Sequence, residues 1–335
     1  MMNLIKQPFF LIGVSILALL FAVSAVYVEL KPDPPEIELV VYNKEGKLMG
    51  KAPMPPSENH WLGTNQLGED MFYKVMMGAK YTIMIALGLA MLRMVVSFIG
   101  CILLMNLPGR LRMFLVECAE TFKFIPASLL AYIVLSPVIM IFFWTYTDAE
   151  YYALSIGILT MIAVPTISVA LIGEVTEIKK MEFFISVKMM GGNKLHVLRK
   201  HIMPFLMPRI LIMFGQQIVS SLLLLAHIGV LGLFIGGARW IKMDDLGRVK
   251  KPMLMRNEWS ELVASSADYI WYAKWVLLAP LGGFVVVIFA ANLMVEGMKR
   301  GLLLDHKKLK SKPIKEMNKG NETVEEKLFQ LKKAE

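Results

Sequence analysis

The sequence predicts an all-α, polytopic membrane protein with six transmembrane helices. Of its 335 residues, 56% are hydrophobic and 19% are charged, and the mean hydropathy of +0.56 is too apolar for a soluble domain of this length. Six apolar runs are each long enough, at about 1.5 Å per helical residue, to cross a hydrocarbon core of about 30 Å. The runs cover residues 8–28, 81–107, 113–146, 151–173, 205–233 and 275–298.

These runs divide the chain into four expected parts. The parts are an N-terminal transmembrane helix in residues 1–29, an external loop in residues 30–75, a five-helix core in residues 76–300 and a charged tail in residues 301–335. Within the core we expect two longer loops. Residues 181–204 form the inner loop, and residues 234–274 form a polar outer loop.

The first apolar run is interpreted as a retained transmembrane helix. Val23-Ser24-Ala25 would suit a signal-peptide cleavage site, but Lys6 is the only positive residue before a run of this length. The polar, proline-rich residues 29–60 predict an external loop that contains a β-hairpin. Residues 71–80 then predict an amphipathic helix that leads into the second run.

Arg93 lies inside the second apolar run, where a guanidinium is costly unless it is paired or hydrated. Glu117 and Glu120, near the inner end of the third run, are candidate partners. These three residues either line a translocation path or gate, or Arg93 is a structural clamp between helices. The third run is longer than a bilayer requires, and Pro126 and Pro137 are expected to kink it.

Residues 181–208 lie between the fourth and fifth runs and predict a basic docking hairpin. The first ten of them have the pattern of a short amphipathic helix, which Gly191 and Gly192 can end in the left-handed conformation. Asn193 can cap a second helix that continues through His201. A partner would cover the apolar face of this hairpin. The alternative is an ordinary basic loop between two membrane helices.

The distribution of Lys and Arg predicts the orientation in the membrane. The segments on the same side as the hairpin, including both termini, carry more Lys and Arg than the segments on the other side. The positive-inside rule therefore places both termini and the hairpin in the cytoplasm. The net charge of +9 is explained by this topology, and nucleic-acid binding is not expected.

The sequence contains no pattern that predicts covalent chemistry. It has no phosphate-binding GxxxxGK[ST] loop, no HExxH and no GxSxG. The five histidines have no second ligand at metal-binding spacing, and His227 is interpreted as an intramembrane side chain that is hydrogen-bonded in the core. Cys101 and Cys118 are interpreted as small packing residues. We expect no catalytic residue, no metal site and no cofactor, so that uphill transport would need energy from a partner.

Three parts of the chain carry a family resemblance. Residues 55–70 are PPSENHWLGTNQLGED, and the hairpin contains Gly191, Ile202 and Pro204. Three later segments belong to the same pattern, namely residues 229–232, 259–270 and 275–297. These parts resemble, in order, three features of the inner-membrane permease subunits of ATP-binding-cassette importers. The first is the HWLGTDDLGRD segment that precedes the permease domain. The second is the coupling loop with EAA-x3-G followed by I-L-P, and the third is the set of last segments of the permease domain. The resemblance is to the second permease of the dipeptide, oligopeptide and nickel group.

The chain departs from the family pattern at several positions. Ile185 stands where the coupling loop of the family has a glutamate, residues 65–66 replace an acidic pair, and Glu69 replaces an arginine. We expect this hairpin to bind its ATPase more weakly, or chiefly through apolar side chains such as Met189 and Met190. The charged run in residues 238–251 also differs from the proline-rich turn of the family.

The resemblance implies a type I importer permease fold with a cytoplasmic coupling helix, in a bacterial plasma membrane. It implies a heterodimer with a second permease subunit, in which each chain forms half of the pore for a dipeptide, oligopeptide or similar small solute. Two cytoplasmic ATPase subunits would bind ATP and magnesium, an external solute-binding protein would deliver the solute, and membrane lipid would surround the pore. The expected ATPase contacts are Phe184, Lys188, Met189, Met190, Gly191 and Leu195.

The alternative function is a non-transporting membrane component of such a complex. A sensor or assembly subunit that has lost its coupling would explain the missing glutamate at Ile185. A membrane-embedded enzyme would need a catalytic cluster that the sequence lacks, and a downhill channel would need no docking hairpin.

Overall fold

The computed structural model describes residues 7–30, 37–42, 48–142, 148–189, 193–235, 237–238, 242–243, 249–250 and 258–310. The α-helices are α1 Pro8–Leu30, α2 Met71–Asn106, α3 Gly109–Thr121, α4 Ala127–Phe142, α5 Asp148–Lys179, α6 Glu182–Met189, α7 Lys194–Val197, α8 Met203–Val230, α9 Trp259–Ser266 and α10 Lys274–Lys310. The short strands are β1 Val40–Tyr42, β2 Leu48–Lys51, β3 Leu233–Phe234, β4 Gly237–Ala238, β5 Lys242–Met243 and β6 Val249–Lys250, paired as three antiparallel hairpins. The part of the charged tail in residues 311–335 lies outside the described residues.

The prediction of an all-α, polytopic membrane fold is confirmed. In the described part of the chain, five helices are long and apolar enough to cross a membrane, and a bent pair of helices brings the number to six if it counts as one span. The five are Pro8–Tyr27, Met71–Asn106, Ala149–Lys179, Leu198–Val230 and Lys274–Leu302. The predicted amphipathic helix before the second run is the first part of α2 and is continuous with it.

The third apolar run is not the single kinked helix that the sequence predicted. Its two halves, Gly109–Phe124 and Ala127–Val138, meet at an angle of 93°. Pro126 explains the break, because the residue before a proline is driven out of the helical conformation, and Ile125 has an extended backbone at φ −98° and ψ 125°. Pro137 lies within α4. The chain therefore enters α4 by a sharp turn.

Close approaches between small residues hold the helices together. A side chain added at Gly13 in α1 would meet the backbone of α10 at Ala290 and Met294, and one added at Gly297 in α10 would collide with Phe10. Glycine permits such contact between membrane helices, whose association depends on close packing. The largest buried cluster joins α2, α5, α8, α9 and α10 around Leu89, Leu225 and other apolar side chains.

The predicted β-hairpin in the loop before α2 is confirmed and is attached to the start of α2. Strands β1 and β2 pair antiparallel. His60 links the two regions, because its Nδ1 lies 2.8 Å from an oxygen of Asp70 and its Nε2 lies 3.5 Å from an oxygen of Glu38. Burial lowers the pKa of His60, but the hydrogen bonds to the two carboxylates outweigh burial and raise it above its usual value. Asp70 also caps α2 by accepting a hydrogen bond from the backbone N–H of Tyr73 at 2.9 Å.

The expected polar outer loop, residues 234–274, contains a buried helix instead. Helix α9 packs against α2, α8 and α10, and Trp259, Leu262 and Val263 are buried. The indole N–H of Trp259 donates to the carbonyl oxygen of Val75 at 2.8 Å, and its ring lies 5.4 Å from that of Phe284. This part of the loop is therefore a component of the bundle.

Candidate coupling segment and buried charged groups

The candidate coupling segment consists of α6, α7 and the π-helical turn Leu198–Ile202, which leads directly into α8. The predicted first helix is α6. The predicted second helix, which was expected to end at His201, continues through the π-helical turn into α8. Because α6 follows α5 after a two-residue turn, both ends of the segment are joined to long membrane helices.

Aromatic side chains fix α6 against the membrane helices. The Phe183 ring stacks on the Phe205 ring with centroids 4.8 Å apart. Phe183 and Phe184 also pack on a buried apolar cluster at the adjoining ends of α5 and α8, formed by Val175, Ile178, Ile202 and Leu206. An ion pair between Arg209 of α8 and Glu174 of α5 lies beside this cluster. The segment is therefore attached firmly to both helices.

The residues expected to contact an ATPase fall into three groups. Phe184 is half-buried in the apolar cluster, so packing within the chain occupies the side chain that was predicted to face a partner. Met189 is 83% exposed at the end of α6. Lys188 lies on α6 and Leu195 on α7, but their side chains lie outside what the structure describes, as do Met190 and Gly191 entirely.

Arg93 is a clamp between three helices. Its side chain is 1% exposed, and its Nε and Nη2 donate to the carbonyl oxygen of Leu159 in α5 at 3.2 and 2.9 Å. Its Nη1 donates to the hydroxyl of Ser221 in α8 at 3.1 Å. A second polar contact continues the α2–α5 interface, where the hydroxyl of Ser168 donates to the carbonyl oxygen of Ser97 at 3.1 Å.

The expected charge cluster of Arg93, Glu117 and Glu120 does not form. Both glutamates are exposed on α3, and Glu120 pairs with Lys123 at 3.0 Å. The physical reason is distance along α2, because Arg93 lies 13 residues, or about 20 Å, before the end of the helix from which the chain enters α3. Carbonyl and hydroxyl oxygens inside the bundle satisfy Arg93 in place of the carboxylates.

Two further expectations for single side chains are wrong. His227 is exposed on α8 and is not a core side chain, and Cys118 is exposed on α3. Cys101 is buried, as expected of a packing residue. Among the residues that the structure describes, no group of His, Cys, Asp and Glu could hold a metal ion.

Sequence reasoning missed two buried carboxylates on α9. Glu258 and Glu261 are 4% and 2% exposed, respectively. Glu258 caps α9 and accepts from the backbone N–H of Ser260 at 3.1 Å, from the hydroxyl of Ser260, and from the hydroxyl of Thr82 in α2 at 3.4 Å. Acidic residues at the start of a helix are a sequence signal of a helix N-terminus, and Glu258 and Glu261 carry that signal here.

A wide apolar cavity opens beside α4 and α5. Its volume is about 750 Å³, and Leu130, Val134, Leu154, Ile158 and Met161 are among the side chains that line it. An apolar face of this size between two membrane helices fits lipid or another apolar helix.

Comparisons with known proteins identify the family. Residues 96–303 match the model of the binding-protein-dependent transport system inner membrane component family. The chain is 26% identical over 257 residues to the oligopeptide transport system permease protein OppC of Bacillus subtilis, which covers 75% of this chain and 73% of the relative. It is 21% identical over 252 residues to the dipeptide transport system permease protein DppC of the same organism, with 74% and 70% covered.

A third relative, from another genus, is named for the transport of glutathione. The chain is 23% identical over 247 residues to the glutathione transport system permease protein GsiD of Pectobacterium atrosepticum, with 74% of this chain and 73% of the relative covered. The family match includes the coupling segment, α4, α5, α8 and α9. Because it spans more than half of the sequence, the chain belongs to the binding-protein-dependent transport system inner membrane component family, as a multi-pass membrane protein.

Proposed function

We propose that this chain is a permease subunit of an ATP-binding-cassette importer and forms half of a translocation pore for peptides or similar small solutes. The names of the relatives OppC, DppC and GsiD support a peptide-like substrate. A second permease forms the other half of the pore, and the apolar cavity beside α4 and α5 is compatible with an apolar neighbour in the membrane. Both termini and the coupling segment lie in the cytoplasm.

The coupling segment is the observation that carries this proposal. It is fixed to α5 and α8 through Phe183 and Phe184, yet Met189 at the end of α6 is exposed. A segment of this kind can be pushed by a partner and can pass the displacement to two membrane helices. Two cytoplasmic ATPases, which bind ATP and magnesium, supply the movement by docking on α6 and on its counterpart in the second permease.

The contact with the ATPase is mainly apolar in this chain. Ile185 occupies the position of the family glutamate, so an ion pair from that position is absent. Met189 offers a flexible apolar side chain, which adapts well to the surface of a partner. Lys188 on the same helix adds positive charge. On the opposite face, an external solute-binding protein docks near the exposed Trp61, which is 70% exposed.

Met189→Asp tests the docking role. The substitution puts a charge on an exposed side chain, so the fold should be retained while the apolar contact is lost. The chain is expressed with its partner permease and ATPases and purified from membranes. We expect the amount of ATPase that copurifies, and the ATP-driven uptake of a labelled dipeptide by proteoliposomes with the solute-binding protein, to fall by about tenfold or more, which corresponds to about 1.4 kcal/mol.

Met113→Asp is the matched control, because Met113 is also exposed, at 63%, and lies on α3 at the same end of the bundle. This variant should keep its ATPase. Equal copurification for both variants would contradict docking at α6. A complex that binds ATPases, but in which solute-binding protein and peptide stimulate neither hydrolysis nor uptake, would indicate the non-transporting alternative that the missing glutamate suggests.

A further inference from the structure

Helix α9 buries a carboxylate that its neighbours do not neutralise. Within the described part of the chain, Oε1 of Glu261 is buried and has no hydrogen-bond partner. Its neighbour Glu258 accepts hydrogen bonds from Ser260, from Thr82 and from the backbone N–H of Glu261. The two carboxylates are thus inequivalent, because one is well solvated by the protein and the other is not.

The charges around Glu261 add up to an excess of negative charge. The groups that act on it are Glu258 on α9, Lys74 on α2, and Glu69 just before α2. The ammonium of Lys74 already pairs with Glu69 at 2.5 Å. Three carboxylates therefore share one ammonium.

The other elements packed on α9 bring mainly apolar residues to it, together with the acidic Asp268 in the turn that follows the helix. A side chain added at Gly229 of α8 would collide with the backbone of Ser260, and the Phe284 ring of α10 packs on the Trp259 ring. Leu233 and Phe234 of β3 are buried apolar residues near α9, and the following turn includes Tyr269. None of these residues supplies a positive charge to Glu261.

A buried carboxylate in this position needs a cation or a proton. A metal ion is disfavoured, because the described residues include no group of side chains suited to hold one. Burial, followed by the charge of Glu258, raises the pKa of Glu261 to about 8, although Lys74 opposes the increase. Burial likewise raises the pKa of Glu258 despite its hydrogen bonds. Burial and the nearby carboxylate of Glu258 therefore both favour the neutral form of Glu261.

We propose that Glu261 is a proton-binding site, and that its neutral carboxyl group allows α9 to pack between α2, α8 and α10. Ionisation would leave a buried negative charge on Glu261, close to the carboxyl groups of Glu258 and Glu69, and would weaken the packing of α9 on α2. Because the proton is bound more tightly in the folded state, the stability that it provides is complete at low pH and is lost progressively as the pH rises from the ordinary pKa of a glutamate to the raised pKa of Glu261. The proposal does not depend on transport.

Infrared spectroscopy of the full chain, purified with its accompanying subunits, tests the site. The C=O stretch of a protonated carboxyl group is followed as the pH is raised, and the unfolding temperature is measured in parallel. We expect a band that disappears with a midpoint near the pKa of about 8, together with an unfolding temperature that falls as the pH rises from about 4.5, the ordinary pKa of a glutamate, to about 8 and then levels off. Glu261→Gln, which imitates the neutral form, should lack the band and the fall.

Two other variants complete the test. Glu117→Gln, at an exposed position on α3, should behave as the unmodified chain. Glu69→Gln removes one negative charge and frees Lys74 for Glu261, so it should keep the band but move its midpoint to lower pH. An unchanged band in Glu261→Gln would overturn the proposal. If Glu261→Gln does not fold, a midpoint in Glu69→Gln that stays in place or rises would overturn it as well.

Discussion

Arg93 illustrates what a single charged residue requires inside a membrane. Its position in the second apolar run was enough to predict that it must be paired or enclosed. The sequence could not indicate which partners it uses, because Leu159 contributes a backbone oxygen and Ser221 a common hydroxyl. The structure favours the clamp over a charged lining of a path, since the side chain is enclosed within one chain.

Arg93→Lys should therefore weaken the bundle although the charge is retained. A lysine ammonium is a compact charge and cannot reproduce the planar fork that reaches both Leu159 and Ser221. We expect a loss of about 2–4 kcal/mol in the free energy of unfolding in detergent, corresponding to one or two hydrogen bonds to a charged group. Arg112→Lys, at an exposed position on α3, is the control and should leave stability unchanged. Equal stability of the two variants would show that the fork geometry contributes nothing.

At the scale of elements, adjacent glycines in α10 test how α9 is held. A side chain at Gly283 would come within 2.9 Å of the Trp259 ring, whereas one at Gly282 would meet no atom within 4 Å. We expect Gly283→Val to displace Trp259 and break its hydrogen bond to Val75. The expected destabilisation is about 1–3 kcal/mol, typical of overpacking.

Thermal unfolding monitored by circular dichroism measures this difference. Gly282→Val has the same loss of backbone flexibility and the same added volume, so it isolates the contact with Trp259. If the two variants unfolded at the same temperature, α9 would not depend on close packing against α10.

The elements also show where sequence reasoning succeeds and fails. Long apolar runs gave α1, α2, α5, α8 and α10, because a membrane helix must be apolar over about 20 residues. The break at Pro126 was predicted only as a kink, since a proline shows where a helix is interrupted but not by what angle. Helix α9 was missed, because its eight residues include three serines and a glutamate and lie in a segment with the composition of a polar loop.

The candidate site was predicted in outline only. The position of the coupling segment followed from its basic composition and its glycines, and α6 is where we expected a helix. The sequence could not predict which of these side chains is free to contact a partner, because Phe184 and Met189 are both apolar. Only the packing of α6 against α5 and α8 buries part of Phe184 and leaves Met189 exposed. The exclusion of Glu117 and Glu120 from contact with Arg93 likewise depends on the fold of α3.

For the whole molecule, orientation in the membrane is a direct prediction. Ser57, in the loop predicted to be external, and Ser186 on α6 are both exposed. In a Cys118→Ser background, an impermeant maleimide should label Ser57→Cys in right-side-out vesicles and Ser186→Cys only in inside-out vesicles. Buried Cys101 should remain unlabelled in both. Labelling of Ser186→Cys from outside would contradict a cytoplasmic coupling segment.

The position of the Arg93 clamp along α5 and α8 would determine how a displacement at one end of these helices compares with the displacement at the other end. The contacts at Leu159 and Ser221 lie roughly 27–30 Å from the ends that hold the coupling segment, but only roughly 14–17 Å from the opposite ends. If the two helices tilt as rigid rods about this pivot, the unequal arms make the opposite ends move about half as far as the ends that hold the coupling segment. The same ratio doubles the force, so a wide swing on one face becomes a short, strong displacement on the other.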